Sequence, residues 1–588
     1  MNRARWILGL VVAGLVLGTS VFSFASAAEQ DLPTYGQPAL QAIDQARAAG
    51  EISRSEALLY RLYYVVAPDL LPAEFALPGP GMKDGTGIVL EVLDEIDGMP
   101  DDIRAKVQAL LVRPALPNTR ETTHFIVHYD PAYTSETYVD VVAGACETSW
   151  TEYHTNQIWN VPPGDGVAGG GTNMIDCYIH ELASGILGMA QTESPVLIGG
   201  APNDYTGYFH ISHVIGDVGL RQATVAHEYM HVVQFGYSRT NDMTWWLENC
   251  AMQGEDWAFD DVNEYLPYLP PFYNNPPWPL DTYDGSYEYA QISWPMYLSE
   301  RFYHDAVENI WEEMKWLTSG SFWTASNTVL APYGNTYETA YLEFMRWNYY
   351  TGSRDDDQHF EEGKLWSVSY AVDRAIALYP SGEKHPRSTK LPERLGTSVM
   401  LLRPVSADNT LQVTFNGPIV TLGVEFIVDS GEDTYTEYFM TLDANADGVI
   451  QIPQFNTCSN VHMLTSMKRI ASGGQDYAFW AETLNDASDV AELNSGELIR
   501  IHPNRPNPFH TQTAVAYTLN TGADVRVRVV DASGRQVRNL YSGVQRPGNY
   551  EITWNRQDDA GHAVASGVYY AVVRVGGVET TRQMTVVE

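Results

Sequence analysis

The stretch ATVAHEYMHVVQFGY, residues 223–237, decides the reading of this chain. Its apolar residues recur at helical spacing, so a helix is expected from about Gly219 to Tyr237. His227 and His231, four residues apart, then project from one face one turn apart, where two imidazole nitrogens can share one zinc ion. Glu228 lies beside that face, placed to take the proton of a metal-activated water. The plain alternative is a pair of satisfied polar residues on a buried helix. That alternative buries three ionisable groups at a cost in free energy, whereas metal ligation relieves the cost directly.

A catalytic zinc site needs a third protein ligand and an open position for water. WWLENCAMQGED, residues 245–256, supplies the candidate, with Glu248, Ala251 and Glu255 in one helical row. Glu248 is assigned as the third ligand, and the small Ala251 permits close packing against the first helix. Glu255 or Asp256 is placed to orient a ligand histidine from behind. Serine chemistry is a poor rival, because the sequence holds no G-x-S-x-G elbow.

TVAHEYMHVVQ followed by WWLENCAMQGED resembles the gluzincins, the glutamate-ligand branch of zinc metallopeptidases. More closely, the chain resembles bacterial exported metalloproteases that carry a helical leader, a gluzincin-like domain and a C-terminal sorting-type β-domain. Asn249 stands where the general pattern has Gly, and the gap between the second His and the Glu is shorter. The resemblance implies a zincin-like catalytic domain with a mixed sheet and active-site helices. It also implies that GYFHISHVI, residues 207–215, is the edge strand lining the cleft, where an extended substrate backbone pairs. His210 and His213 on it are read as packing or surface residues rather than ligands. In YEYAQISWPMYLSERFY, residues 287–303, the resemblance implies a helix after the third ligand, with Tyr289 the candidate to steady an oxyanion.

Outward from this domain, 588 residues give about three to five domains. A formal charge of -38 makes nucleic acid an unfavourable partner. Residues 1–27 carry Arg3 and Arg5, an apolar run from Trp6 to Leu17 and the small-x-small Ala25-Ser26-Ala27. This pattern reads as a secretory signal peptide, with a single membrane anchor as the alternative. After its removal no later stretch is apolar enough to span a membrane, so a secreted or cell-surface protein is expected. Residues 28–118 read as a helical leader, with Ser53 as a cap, that either shields the site as a propeptide or is simply structural. Residues 119–388 form the mixed α and β domain, and residues 389–487 alternate at strand period as a β-sandwich. The fold class is therefore multidomain α+β, with two β-sandwich domains after the catalytic one. Cys146, Cys177, Cys250 and Cys458 lack metal-like spacing and are read as structural or free.

In LDANADGVIQIPQ, Asp443, Asn445 and Asp447 alternate ahead of Gly448, as in the opening of a Ca2+ loop. The twelfth position is the neutral Gln454 and the setting is β, so a solvated turn is favoured over a weak Ca2+ site. Residues 493–588 read as a small immunoglobulin-like sandwich with Trp554 and Tyr569 in its core. Their motifs Pro506-Asn507-Pro508-Phe509, Asp531-x-x-Gly534-Arg535-x-Val537 and Ser566-Gly567-Val568-Tyr569-Tyr570 resemble FlgD-like immunoglobulin domains and type IX secretion sorting domains. That resemblance implies cell-surface or secretion machinery as a partner. The reading as a whole is an exported zinc-dependent endopeptidase acting on proteins or peptides, with Glu228 as general base. A catalytically silent zinc-containing adhesion protein is the rival.

Overall fold

The computed structural model describes residues 37–587 except 80–81, 167–171, 184, 197–203, 240–242, 318–321, 406–408, 419–421, 432, 469–472, 485–498, 502–503, 505, 520–522, 532–533, 546–547 and 576–577. The expected signal peptide, residues 1–27, lies outside the described residues. Among the described residues no helix is long and apolar enough to cross a membrane.

Four helices open the described chain: α1 (Pro38–Ala48), α2 (Arg54–Val66), α3 (Thr86–Glu95) and α4 (Asp101–Leu110). Ser53 caps α2, its Oγ accepting the Glu56 N–H at 3.2 Å while Glu56 Oε2 accepts the Ser53 N–H at 2.8 Å. Leu40, Ile43, Leu58, Leu62, Val65, Val89 and Val92 form a core here that also takes in Ala183, Ile186 and Met189 of the following domain. The buried Arg61 ties α2 to α3 through Glu91 at 2.7 Å and to α1 through Asp44 at 2.5 Å.

The central domain is built on β1 (Asn118–Glu121), β2 (Phe125–Tyr129), β3 (Ile175–His180), β4 (Gly188–Pro195) and β5 (Tyr205–Ser212), in the order β1-β2-β3-β5-β4. β2, β3 and β5 run parallel, and the outer strands β1 and β4 run antiparallel to their neighbours. GYFHISHVI therefore supplies an interior strand rather than the expected edge, and β4 is the sheet edge beside it. The burial of Tyr208, Phe209, His210 and Ile211 in succession is that of a strand covered on both faces. Helix α5 (Glu136–Thr151) and the long helix α6 (Val218–Phe235) pack on this sheet, and α7 (Thr244–Ala258) packs on α6. The domain continues through α8 (Pro270–Asn274), α9 (Tyr287–Ala290), α10 (Ser293–Arg301), α11 (Ala306–Trp316), α12 (Phe322–Leu330) and α13 (Tyr337–Trp347). Trp246, Trp294, Trp311 and Phe344 fill its core.

Eight strands follow: β6 (Arg374–Ile376), β7 (Thr397–Leu402), β8 (Thr410–Asn416), β9 (Leu422–Asp429), β10 (Tyr435–Met440), β11 (Asp447–Pro453), β12 (Asn460–Met467) and β13 (Ala478–Leu484). They form two sheets, β10-β9-β12-β7-β6 and β11-β8-β13. β6 precedes residue 389, the expected start of this sandwich. It pairs with Met400–Leu402, but at three residues it is too short to show alternation in sequence. Val399, Ile427 and Leu464 join the core of the central domain, and Arg346 of α13 pairs with Glu425 and Glu437 across the same boundary.

The last domain holds β14 (Ile499–Ile501), β15 (Thr513–Leu519), β16 (Ala523–Asp531), β17 (Gln536–Gln545), β18 (Gly548–Trp554), β19 (Gly567–Val575) and β20 (Val578–Val586). Its sheets are β14-β15-β18 and β17-β16-β19-β20. Multidomain α+β architecture with C-terminal β-rich domains is thus what the chain adopts. All four cysteines are buried free thiols.

Candidate metal centre

Helix α6 starts where the Asp217 side chain accepts the Leu220 N–H at 2.8 Å, a standard N-cap. From Ala223 to Phe235 every residue is buried, so the helix runs through the interior with polar groups that need partners. Helix α7 lies close against it. Ala251 is fully buried, and a Cβ at Gly254 would stand 2.8 Å from Tyr153 Oη and 3.1 Å from Met230 Cε. Gly254 thus lies at the contact, and Ala251, the small residue expected there, is buried three residues before it.

This packing brings His227, His231 and Glu248 together. Glu248 Oε2 stands 3.3 Å from His227 Nε2 and 3.7 Å from His231 Nε2. A fourth side chain, Asp84 of the leader, joins them, and one ligand atom from each of the four lies within 4.8 Å of the others. All four residues are buried. Among the described residues no other such group gathers.

The far nitrogens of both imidazoles are held by acceptors. Glu255 Oε1 sits 2.6 Å from His227 Nδ1, and Gln234 Oε1 sits 2.9 Å from His231 Nδ1. Gln234 is fixed in turn, its Nε2 donating to the Leu247 carbonyl at 3.0 Å, so its oxygen faces the ring. Both Nδ1 atoms therefore donate, which leaves both Nε2 lone pairs facing Glu248. Of the two orienting candidates Glu255 takes the role. Asp256 instead faces Glu362, Asp260, Glu300 and Glu361.

Burial comes first among the causes that set the charges of these groups. Burial pushes His227 down to about 3 and His231 in the same direction, so both rings are neutral, the form that ligates. Burial, with the Asp84 and Glu248 charges added, drives the Glu228 carboxyl well above its ordinary range. Burial and the Glu248 charge raise Asp84 to about 7. Burial opposes the charge on Lys83, yet Glu255 and Glu264, at 2.7 and 2.5 Å, outweigh it and hold its pKa above the usual value. Meanwhile His231 Nε2 and Glu248 Oε1 are buried without any hydrogen-bond partner. A divalent cation at this point satisfies both orphaned atoms and reverses the sign of the carboxylate penalties. Two imidazoles and carboxylates are a donor set that suits zinc.

Glu228 points toward β4. A Cβ on Gly188 would lie 2.4 Å from Glu228 Oε1, and Thr86 Oγ1 stands 3.5 Å from Glu228 Oε2. Tyr289 is buried on α9 with its ring centroid 6.3 Å from that of His227. Beside it, Glu288 Oε2 accepts the N–H groups of Asp284, Gly285 and Ser286 at 3.1–3.2 Å, which anchors the start of α9. His210 and His213 stay outside the cluster. His210 Nδ1 is 2.8 Å from His180 Nε2, and His213 stacks on Tyr133.

Sequence reasoning missed Asp84 and Lys83. Asp84-Gly85-Thr86 carries only the signature of a local turn, in which Asp84 accepts the Thr86 N–H and hydroxyl at 2.8 Å. In residues 443–447, read as a solvated turn in preference to a weak Ca2+ site, Asp443 Oδ1 accepts the N–H groups of Asn445 and Asp447 at 2.8 and 3.0 Å, closing the turn on itself.

The two sheets of the last domain enclose Trp554, with Tyr569 packed on it at 5.3 Å between ring centroids. Residues 509–577 match the family model of the FlgD Ig-like domain. In this FlgD Ig-like domain, Phe509 of the P-N-P-F motif also packs on Trp554, at 5.6 Å. No curated protein matches the chain. Among solved structures, latent dimeric PorU from Porphyromonas gingivalis is 17% identical over 32% of this chain and 19% of its own, with a TM-score of 0.17. PorZ of the same organism, described as a surface component of its type IX secretion system, is 15% identical over 27% of this chain and 25% of its own, at 0.12. The adhesin domain of Epf from Streptococcus pyogenes is 8% identical over 35% of this chain and 76% of its own, at 0.13. The chain thus spans about a fifth of PorU and a quarter of PorZ, and similarities at these scores carry no argument.

Proposed function

We propose that the central domain is a zincin-like metallopeptidase of the gluzincin type, and that the chain is an exported zinc-dependent endopeptidase acting on proteins or peptides. The observation that carries this reading is the buried convergence of His227 Nε2, His231 Nε2 and Glu248 with Glu228 at its side. His227, His231 and Glu248 would hold the ion. Bound there, Zn2+ supplies a Lewis acid for the scissile carbonyl and lowers the pKa of water.

The chain's own groups do the rest. Glu255 and Gln234 keep the imidazoles in the Nδ1–H tautomer. Glu228, ionised where a bound divalent cation offsets the neighbouring Asp84 and Glu248 charges, would take a proton from water at its carboxylate and return it to the leaving amine. Tyr289, its ring centroid 6.3 Å from that of His227, is the group that would steady the oxyanion. The edge of β4 offers main-chain groups to an extended peptide. The FlgD Ig-like domain serves attachment to the cell surface or to secretion machinery, and the sorting motifs of residues 506–570 support this.

The test is zinc content together with cleavage of unfolded casein, after release of the leader by a site-specific protease sequence placed between Ala115 and Leu116. Glu228→Gln is expected to lower turnover by about 10²–10⁴-fold while zinc stays bound, and a chelator to abolish it in the wild type. A second reading has an observation of its own: four protein side chains meet, as in closed structural zinc sites. Zinc without chelator-sensitive cleavage in the leader-released protein would favour that reading, a silent zinc-containing adhesion protein.

A further inference from the structure

The fourth side chain at the centre comes from outside the central domain, and so does the main chain beside it. Residues 83–85 run parallel to β4, with Asp84 paired to Gly188. The Leu187 N–H donates to the Lys83 carbonyl at 2.9 Å, and the Gly85 N–H donates to the Gly188 carbonyl at 3.2 Å. These are the edge groups that an added peptide strand would need. Lys83 reaches past them to Glu255, the acceptor that orients His227, and to Glu264. Thr86 Oγ1 accepts the Ala190 N–H at 2.8 Å, and Gly87 lies so close to Tyr283 and Thr244 that a Cβ there would clash with the Tyr283 hydroxyl. The leader is therefore wedged between β4 and helices α6 and α7, with its carboxylate among the histidines.

We infer that Asp84 is a fourth ligand to the metal, and that segment 83–87 occupies the water position and the substrate edge at once, making the leader an intramolecular inhibitor. This rests on the metal centre of the proposed function and adds its regulation. The geometry has the parts of a displaceable plug. Asp84 is supplied by a leader with a largely separate core, joined to β1 by a connector in which Val112 is 67% exposed. Cutting that connector breaks the covalent link between the plug and the domain without touching His227, His231 or Glu248.

The experiment uses the full chain carrying Glu228→Gln, so that self-processing does not intervene, loaded with Co2+ as a spectroscopic stand-in for zinc. In Asp84→Cys, a side chain within ligand reach gives a thiolate-to-cobalt charge-transfer band in the near ultraviolet, absent from the parent, whose own cysteines lie outside the cluster. Asp84→Asn keeps an acceptor for the Thr86 N–H and loses the charged ligand. It is expected to release metal to a chelator about tenfold faster and to bind acetohydroxamate about tenfold more tightly. A chain that binds Co2+ with no such band in Asp84→Cys, and with unchanged release and hydroxamate affinity in Asp84→Asn, overturns the role of Asp84 and leaves the metal centre standing. A parent chain that binds neither Co2+ nor Zn2+ overturns the centre itself.

Discussion

Gly188 has no room for a side chain, because a Cβ would stand 2.4–2.7 Å from the Oε1, Cγ and Cδ atoms of Glu228. The closeness makes this glycine the wall against which the proposed general base rests. Gly188→Ala should push the carboxylate aside by a fraction of its own length, with ligands untouched. The expected result in the leader-released protein is turnover lower by about 10²-fold at unchanged zinc content, measured by peptide cleavage beside elemental analysis. Full turnover would show that Glu228 has no fixed task. At this scale the sequence was legible where chemistry is local: His227, Glu228 and His231 lie within one helical turn, and Glu248 and Glu255 within two. Asp84 was not legible. It reaches the site through the tertiary fold, from a leader whose Asp-Gly-Thr reads only as a turn.

Between elements, the site depends on how closely α6 and α7 approach. Ala251 and Gly254 make that approach possible, and Tyr153 and Met230 fill the remaining space. Gly254→Val is expected to overpack the contact, destabilising the domain by about 1–3 kcal/mol in chemical denaturation and weakening zinc retention together. Loss of stability with unaltered zinc retention would separate the packing from the site. Helix α6 was readable because its apolar spacing and its His pair agree, while its Asp217 cap emerged only in the structure. The edge strand was not. The resemblance to gluzincins assigned that edge to GYFHISHVI, but its pairing with β3 on one side and β4 on the other places it inside the sheet. The true edge, β4, contains Gly188, Pro195 and polar residues that obscure a strand pattern.

The whole molecule is strongly acidic, with 73 Asp and Glu against 35 Lys and Arg, and part of that charge is turned inward. Burial, with Glu362, Asp260, Glu300 and Glu361 around it, raises Asp256 to about 8, and its Oδ1 lacks a hydrogen-bond partner. Glu300 is raised to about 7, again by burial first. An acid whose folded pKa exceeds its unfolded value holds a proton on folding, so stability is lost as pH rises between the two values. For Asp256 that window runs from 3.8 to about 8. Thermal unfolding should therefore occur at lower temperature at pH 8 than at pH 5. Asp256→Asn should remove up to about 1.4 kcal/mol per pH unit of that dependence, and an unchanged slope would refute the assignment. The passage from mixed α and β to β-rich structure was legible from changes in periodicity along the chain. The seam at β6 was not, because three residues cannot display a period.

The most direct test of the central claim is the metal content of the purified full-length chain by elemental analysis. One zinc ion per chain is predicted for the wild type, retained in Glu228→Gln and lost when His227 and His231 are both replaced by Ala. A wild-type chain without metal, or a metal that survives loss of both histidines in a folded protein, would contradict it.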